Sequence, residues 1–498
     1  MQALRVSDNG RYLVTEDGAP FTWMADTAWT LPQRIKADDV EYYLRRRKEQ
    51  GFTVLQMVAL DPERDVLMRS PAGEPALING DLEHPNERYF SYLDWVLDRA
   101  EHYGFHVLLL PVWGQLVTGD NWMGGTFGIT VTDENAYDFG KWIGARYASR
   151  KNIVWCLGGD RQPVHRGVDY RSVWRRMAEG LAEGVLGSPL PADAPREAWR
   201  RLPLAYHPSR EDQNHCSSST YWGDDERWLA LTMLQSGHGP GVCSWKLVEA
   251  EDEQPGSARP VWDGEPAYED MPTSWPPTGP RHGAWMVRRR AYWSVLAGAF
   301  GVTYGHCSVW SSIAEKERND MFHVDWFEAL DAEGANQMRY LRAFLDESGV
   351  VGSLPCPHAV VSPETDDLAA HVQVSCAEDG ARLFAYLPSG GTACLQMPEG
   401  WVTAWCWWYS PRNGDICGPV PEIVADGCAT VRAPSAGEGE DWLLMADAER
   451  SEAPIYLCSY GGGLWRLENL IKCSRGKTEC GATFTTLGSR LAIAQAGA

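Results

Sequence analysis

The 498-residue chain carries 45 Lys and Arg against 67 Asp and Glu, a formal net charge of −22 at pH 7. That balance argues against a nucleic-acid backbone or an anionic membrane surface as partner, since both need a clustered positive field. Hydrophobic residues at 44% and charged residues at 22% are ordinary globular values, and the chain can bury a large core without disulfide or metal staples.

In chain order, Leu4 to Phe21 reads as a small hairpin turning at Asp17-Gly18. Thr22–Ala25 is the first short apolar run, and Asp38–Arg47 follows with helical spacing and an acidic first turn. Thr53–Val58 is β-branched and apolar. Tyr89–His102 places Phe90, Leu93, Val96, Leu97 and Ala100 on one helical face. His106–Val112 is a continuous apolar strand, and a helix over Asn135–Ser149 leads into Ile153–Leu157. Pro203–Tyr206, Leu231–Gln235, Pro260–Trp262 and Ala299–Tyr304 complete a set of eight apolar strands, most of them separated by helical patterns. That alternation predicts a (β/α)8 barrel over residues 1–346. A doubly wound open sheet is the runner-up, but no Gly-rich phosphate-binding turn follows any strand.

From about Ser348 the period changes. Ala369–Val374, Ala381–Leu387, Thr392–Met397, Val402–Tyr409, Cys428–Arg432 and Trp442–Met445 read as short alternating strands divided by Gly-rich turns. They predict an antiparallel β-sandwich over 347–446. Residues 447–498 fit neither pattern and are expected to form a poorly packed tail.

Trp 24 against Phe 12 is an unusual ratio, and flat indoles suit sugar faces, although about two thirds of them are expected to be core. No run of 18 apolar residues is present. The first residues lack the basic start and apolar run of a signal peptide, so a cytoplasmic location is expected. The 13 cysteines are odd in number and show no zinc spacing, and neither a metal nor another cofactor is expected.

In a barrel the active site lies at the C-terminal strand ends. The eight exits deliver Asp26 and Trp29, Gln56, Trp113, Asp160 and Arg161, His207, His238, Glu265, and His306 with Trp310. Asp160 and Glu265 sit in Gly-rich turns after strands four and seven, nearly opposite each other. Glycoside hydrolysis needs two carboxyl groups flanking the scissile bond. The structural alternative makes Asp160 a helix cap and pairs Glu265 with Arg161 or Arg281. Asp26 can contact sugar hydroxyls or cap a helix. Trp113 and Trp310 can be sugar platforms or close the barrel mouth, while His207 and His238 can serve the nucleophile, the substrate or the scaffold. Gln56 can be polar lining.

The order and spacing of Val6–Leu13, Ala25–Trp29, Gly51–Gln56, Leu110–Gly114, Gly158–Arg161, Gln235–His238 and Asp263–Pro266 resemble the apiosidase-like glycoside hydrolases, from residue 1 to about 446. That clan A (β/α)8 family usually carries a C-terminal β-sandwich described as collagen-binding. The resemblance implies a retaining hydrolase of polysaccharide side chains, with Asp160 as acid/base, Glu265 as nucleophile and a carbohydrate as substrate. Many clan members have Asn-Glu where this chain has Gly-Asp, so the acid is one methylene shorter, and Glu269 and Asp263 are rival nucleophiles. A carbohydrate-binding protein on a glycosidase scaffold is the alternative. A metal-dependent barrel isomerase is a third reading, which lacks metal ligands.

Overall fold

The computed structural model describes residues 1–121, 128–252, 259–274, 276–363 and 367–452. Eight parallel strands form a nearly closed barrel. They are β1 (Trp23–Thr27), β2 (Val54–Val58), β3 (His106–Leu110), β4 (Ile153–Gly158), β5 (Leu204–His207), β6 (Thr232–Leu234), β7 (Val261–Asp263) and β8 (Gly301–Tyr304). Every consecutive pair from β1 to β5 and from β6 round through β8 to β1 shares a ladder. The seam between β5 and β6 closes through Ala230 N and Leu231 N, which both donate to Leu204 O at 2.9 and 3.2 Å.

The apolar runs are continuous because both strand faces are buried. Trp23, Ala25, Val54, Val58, Leu108, Leu110, Val154 and Cys156 fill the barrel interior. Their neighbours Met24, Leu55, Met57, Val107, Leu109, Trp155 and Leu157 face the helices instead. Those helices are α1 (Ala37–Glu49), α2 (Glu87–His102), α3 (Ala136–Tyr147), α4 (Arg171–Leu186), α5 (Ser244–Asp252), α6 (Ala284–Leu296) and α7 (Glu333–Glu347). After β5 the described chain makes only a single 3-10 turn at Ser218–Thr220 before β6.

The amino-terminal strands Leu4–Val6 and Leu13–Thr15 pair antiparallel, and Leu4, Val6 and Leu13 pack on the same interior cluster. Their turn differs from the expected one. It lies at Ser7–Tyr12, where Gly10 takes a positive φ of 75° and Ser7 N donates to Tyr12 O at 2.8 Å. Asp17-Gly18 makes a second tight turn that brings Pro20 back beside Val14. Asn9-Gly10 carries the same turn chemistry as Asp17-Gly18, and the longer pairing formed around it.

Beyond α7 the strands are antiparallel. β9 (Leu354–Pro355), β11 (Gln373–Cys376), β12 (Arg382–Leu387), β17 (Trp442–Asp447), β14 (Thr403–Tyr409) and β15 (Ile416–Ile423) make one sheet in that order. β10 (Val360–Ser362), β13 (Gly390–Gln396) and β16 (Cys428–Ala436) make the other. Leu383, Ala385, Ala404, Cys406, Leu444 and Ala446 face the three-stranded sheet across a shared core. The alternate residues Phe384, Tyr386, Trp407, Tyr409, Leu443 and Met445 join the core of the barrel. The central strands of the larger sheet are therefore buried on both sides. At that seam Tyr386 stacks on Tyr292 of α6 with centroids 5.1 Å apart, and Phe344 of α7 meets Phe384 at 5.8 Å. Arg288 of α6 pairs with Asp441 at 2.8 Å, the two side chains being 3% and 0% exposed.

The expected strand at Ala369–Val374 begins later, at Gln373, after a 3-10 turn at Leu368–Ala370. The tail reading for 447–498 falls, beyond residue 452, outside the described residues. Among the described residues no helix is long and apolar enough to cross a membrane.

Candidate active site

The exits of β3, β4 and β5 are laced together by close main-chain contacts. Gly159 N donates to His207 O at 3.1 Å and Gly114 N donates to Gly159 O at 3.2 Å. A Cβ on Gly158 would stand 2.4 Å from His207 O, and one on Gly159 would stand 2.7 Å from the Trp113 ring. Both glycines have positive φ, and Asp160 follows them into the left-handed region at φ 49°. That conformation is unusual for a residue with a side chain and is held here by its surroundings. Asp160 N donates to His207 Nδ1 at 3.1 Å. Its carboxyl accepts from Gln235 Nε2 at 3.0 Å on Oδ1 and from Arg161 Nη1 at 3.3 Å on Oδ2. The side chain keeps 29% exposure, so one edge of the acid is open.

Glu265 arrives from the other side of the rim. Gly264 N and Glu265 N both donate to Leu234 O at the end of β6, and Gly237 N donates to Glu265 O at 2.9 Å. His207 Nε2 stands 2.9 Å from Glu265 Oε2, with its N–H turned off the line to the oxygen, and His238 Nε2 stands 3.4 Å from Oε1. His207 is fully buried and touches both carboxyl residues, one through a main-chain amide and one through its ring.

The two carboxyl groups are pushed in opposite directions. Burial raises the Asp160 carboxyl above the usual carboxylate value, and the nearby charge of Glu265 raises it further. Burial would also raise Glu265, but His207 and His238 outweigh it and hold that group well below its ordinary value. Glu265 in turn keeps His207 above the ordinary histidine value, against the effect of burial.

Trp29, Trp113 and His207 form a triangle of rings, with centroids 5.3, 5.3 and 5.4 Å apart. Both indoles are nearly fully buried, so they brace the histidine from below and close the barrel mouth. Arg161 is buried too. Its Nε donates to Asp120 Oδ1 at 3.1 Å and its Nη1 to Asp160 O at 2.5 Å. His165 Nε2 reaches the other Asp120 oxygen at 3.0 Å.

Other expected contacts lie elsewhere. Asp26 has the strand parity of Met24 and faces α1, where it pairs with Arg47 at 2.8 Å and accepts from Tyr43; both ions are fully buried. It neither caps a helix nor reaches the rim. Gln56 faces the interior, but its Nε2 donates to Gly264 O at 3.0 Å and its Oε1 accepts from Thr303 at 3.3 Å. It supports the Glu265 turn rather than lining a subsite. His306 is buried, and its Nδ1 accepts from Ser308 N at 3.1 Å. Trp310 is covered by Arg64 at 5.7 Å and Phe322 at 6.4 Å, so its ring closes the mouth instead of offering a platform.

The rival carboxylates are engaged in structural bonds. Glu269 accepts from Gly334 N at 2.9 Å, Ala335 N at 3.2 Å and Tyr304 Oη at 2.7 Å, which ties it to the first turn of α7. Asp263 accepts from Ser236 N at 3.2 Å behind the Glu265 turn. Two rim residues were not singled out from sequence. Gln235 stood in a quoted motif without a role. Tyr268, whose ring lies 4.5 Å from that of His238, follows Glu265 by three residues with nothing but its type to mark it. Among the described residues no three His, Cys, Asp or Glu side chains are grouped to hold a metal ion.

A parallel barrel whose strand ends gather paired carboxyl groups, histidines and indoles is the architecture of a glycoside hydrolase. A crystal structure of a family 5 glycoside hydrolase from Bacteroides vulgatus matches at TM-score 0.76 and 25% identity, over 92% of this chain and 95% of that one. Another structure, of a protein named only as a glycoside hydrolase, matches at TM-score 0.76 and 24% identity, covering 91% and 98%. A maltogenic α-amylase from Thermotoga neapolitana, at TM-score 0.51 and 13% identity over 86% and 99%, shares the fold alone. Residues 7–351 match the family model "Apiosidase-like, catalytic domain", and the chain belongs to that family. Residues 357–447 match a second model, "Putative collagen-binding domain of a collagenase". No protein of curated function is similar to the chain.

Proposed function

We propose that the chain is a retaining glycoside hydrolase that removes apiose or a similar uncommon sugar from polysaccharide side chains. Glu265 is the nucleophile and Asp160 the acid/base. The observation that carries this reading is the opposite displacement of the two carboxyl groups around His207. A glycosidase needs one carboxyl ionised and one still protonated at the same pH, and this pair is displaced in those two directions.

In the first step the Glu265 carboxylate attacks the anomeric carbon and forms a glycosyl ester. Asp160 gives its proton to the departing glycosidic oxygen. In the second step the Asp160 carboxylate takes a proton from water, the water oxygen attacks the anomeric carbon, and the ester bond to Glu265 breaks. The sugar class is suggested by the family description, and the collagen label of the second domain contributes nothing to it.

A screen of aryl glycosides, 4-nitrophenyl apioside among them, and of pectic oligosaccharides with NMR of the first product tests substrate and stereochemistry together. An inverted first product overturns the retaining reading. Glu265→Gln should abolish turnover on every substrate. Asp160→Ala should retain glycosylation by substrates with good leaving groups, and azide should restore its turnover, because an anionic nucleophile needs no general base. Full activity of Asp160→Ala on an unactivated glycoside removes Asp160 from the role.

A further inference from the structure

We propose that Gln235 is a positioning residue that fixes which oxygen of Asp160 carries the catalytic proton, a role that rests on Asp160 being the acid. Gln235 ends the run out of β6. Its backbone N donates to Cys216 O at 2.8 Å, and the residue is 6% exposed. The side chain reaches across to the β4 exit and donates Nε2–H to Asp160 Oδ1 at 3.0 Å. An amide nitrogen only donates. Both carboxyl oxygens face a donor, but the Gln235 contact to Oδ1 is the shorter, 3.0 against 3.3 Å, and Arg161 Nη1 is drawn to the Asp160 carbonyl, so the acid proton belongs on Oδ2.

The neighbour of Oδ2 is also a donor. Arg161 Nη1 lies 3.3 Å from it and makes its shorter bond, 2.5 Å, to the Asp160 carbonyl. Neither side chain can take the proton from the acid, and it remains available for a glycosidic oxygen. Once the proton has gone, the same two donors face a full carboxylate and favour it. Gln235 therefore works against burial and against the charge of Glu265, both of which hold the proton on Asp160.

The test is the pH profile of kcat/KM on a glycoside with a poor leaving group, where proton donation limits the rate and the basic limb reports the acid. In Gln235→Leu the carboxylate loses its donor, and the basic limb should move up by about one pH unit, the scale of one hydrogen bond to a charged group. Gln235→Glu, which puts a third carboxylate beside the pair, should move it further in the same direction and serves if the leucine variant does not fold. A basic limb that stays in place while the whole profile drops overturns the proposal, since loss of packing scales the rate without moving the limb. The azide experiment on Asp160→Ala keeps the two claims apart. Rescue there with an unmoved limb in the Gln235 variants refutes the positioning role alone. Absence of rescue refutes the role of Asp160, and that of Gln235 with it.

Discussion

Replacing Arg288 by Met should show whether barrel and sandwich unfold as one body. The guanidinium meets Asp441 in a two-pronged contact, Nε to Oδ2 at 3.0 Å and Nη2 to Oδ1 at 2.8 Å, and also touches Gln337 on α7. Without it, Asp441 keeps, among the described residues, Tyr386 Oη at 3.0 Å and Arg412 Nε at 3.9 Å, at a site with no solvent exposure. Removing one partner of a buried ion pair costs about 3–5 kcal/mol, because the remaining charge is stranded. A cooperative unit of this size has a urea slope of at least about 3 kcal/mol/M, so the midpoint should fall by about 1 M. Tryptophan fluorescence follows the transition, and loss of activity should track it at the same urea concentrations. Arg288→Met combined with Asp441→Leu should recover most of the loss, since an apolar pair of similar volume needs no charge compensation. A midpoint within about 0.2 M of the parent, or a sandwich transition that leaves the activity curve unmoved, would refute the reasoning.

His207→Phe should keep the ring triangle but remove the strongest partner of Glu265. The acid limb of kcat/KM should then rise by about one to two pH units, measured on an aryl glycoside with a good leaving group. An unmoved limb would mean that His238 alone keeps Glu265 ionised. His306, held by burial near pKa about 3, resists protonation in the folded chain while the unfolded chain takes a proton near 6.5. Unfolded chains bind more protons between those values, so stability rises with pH there and falls as pH drops below about 6.5. From pH 6.5 to 4.5 this one group should account for about 2–3 kcal/mol, and His306→Gln should show a correspondingly smaller fall in urea midpoint.

The barrel was legible because both faces of its strands are buried, which writes each as an unbroken apolar run such as His106–Val112. The sandwich showed through the alternation of strands like Cys428–Ala436, whereas Arg382–Leu387 is apolar throughout because one face packs on the barrel and the other on the second sheet. β15 was passed over because Gly418, Pro419 and Pro421 lie inside it, and proline in a strand is tolerated at an edge, where β15 sits. Asp160 and Glu265, which the structure gathers around His207, are residues whose motif and strand end coincide. Asp26 misled because one residue of parity separates the interior from the helix layer, and a run buried on both faces gives no sign of which is which. Gln235 is a neutral amide, and only its position against Asp160 gives it a role.

On the proposed role of Asp160, its left-handed backbone has a consequence for the length of the acid. Gly158 and Gly159 let the end of β4 lie against the carbonyl of His207 and the ring of Trp113, so the main chain itself fixes where the Asp160 carboxyl begins. A carboxyl placed by so tightly held a backbone is aimed best through a short arm. Aspartate turns about two side-chain bonds where glutamate turns about three, and each bond left free must be frozen in the reacting geometry. The turn thus moves the work of aiming from a flexible side chain to a rigid strand end.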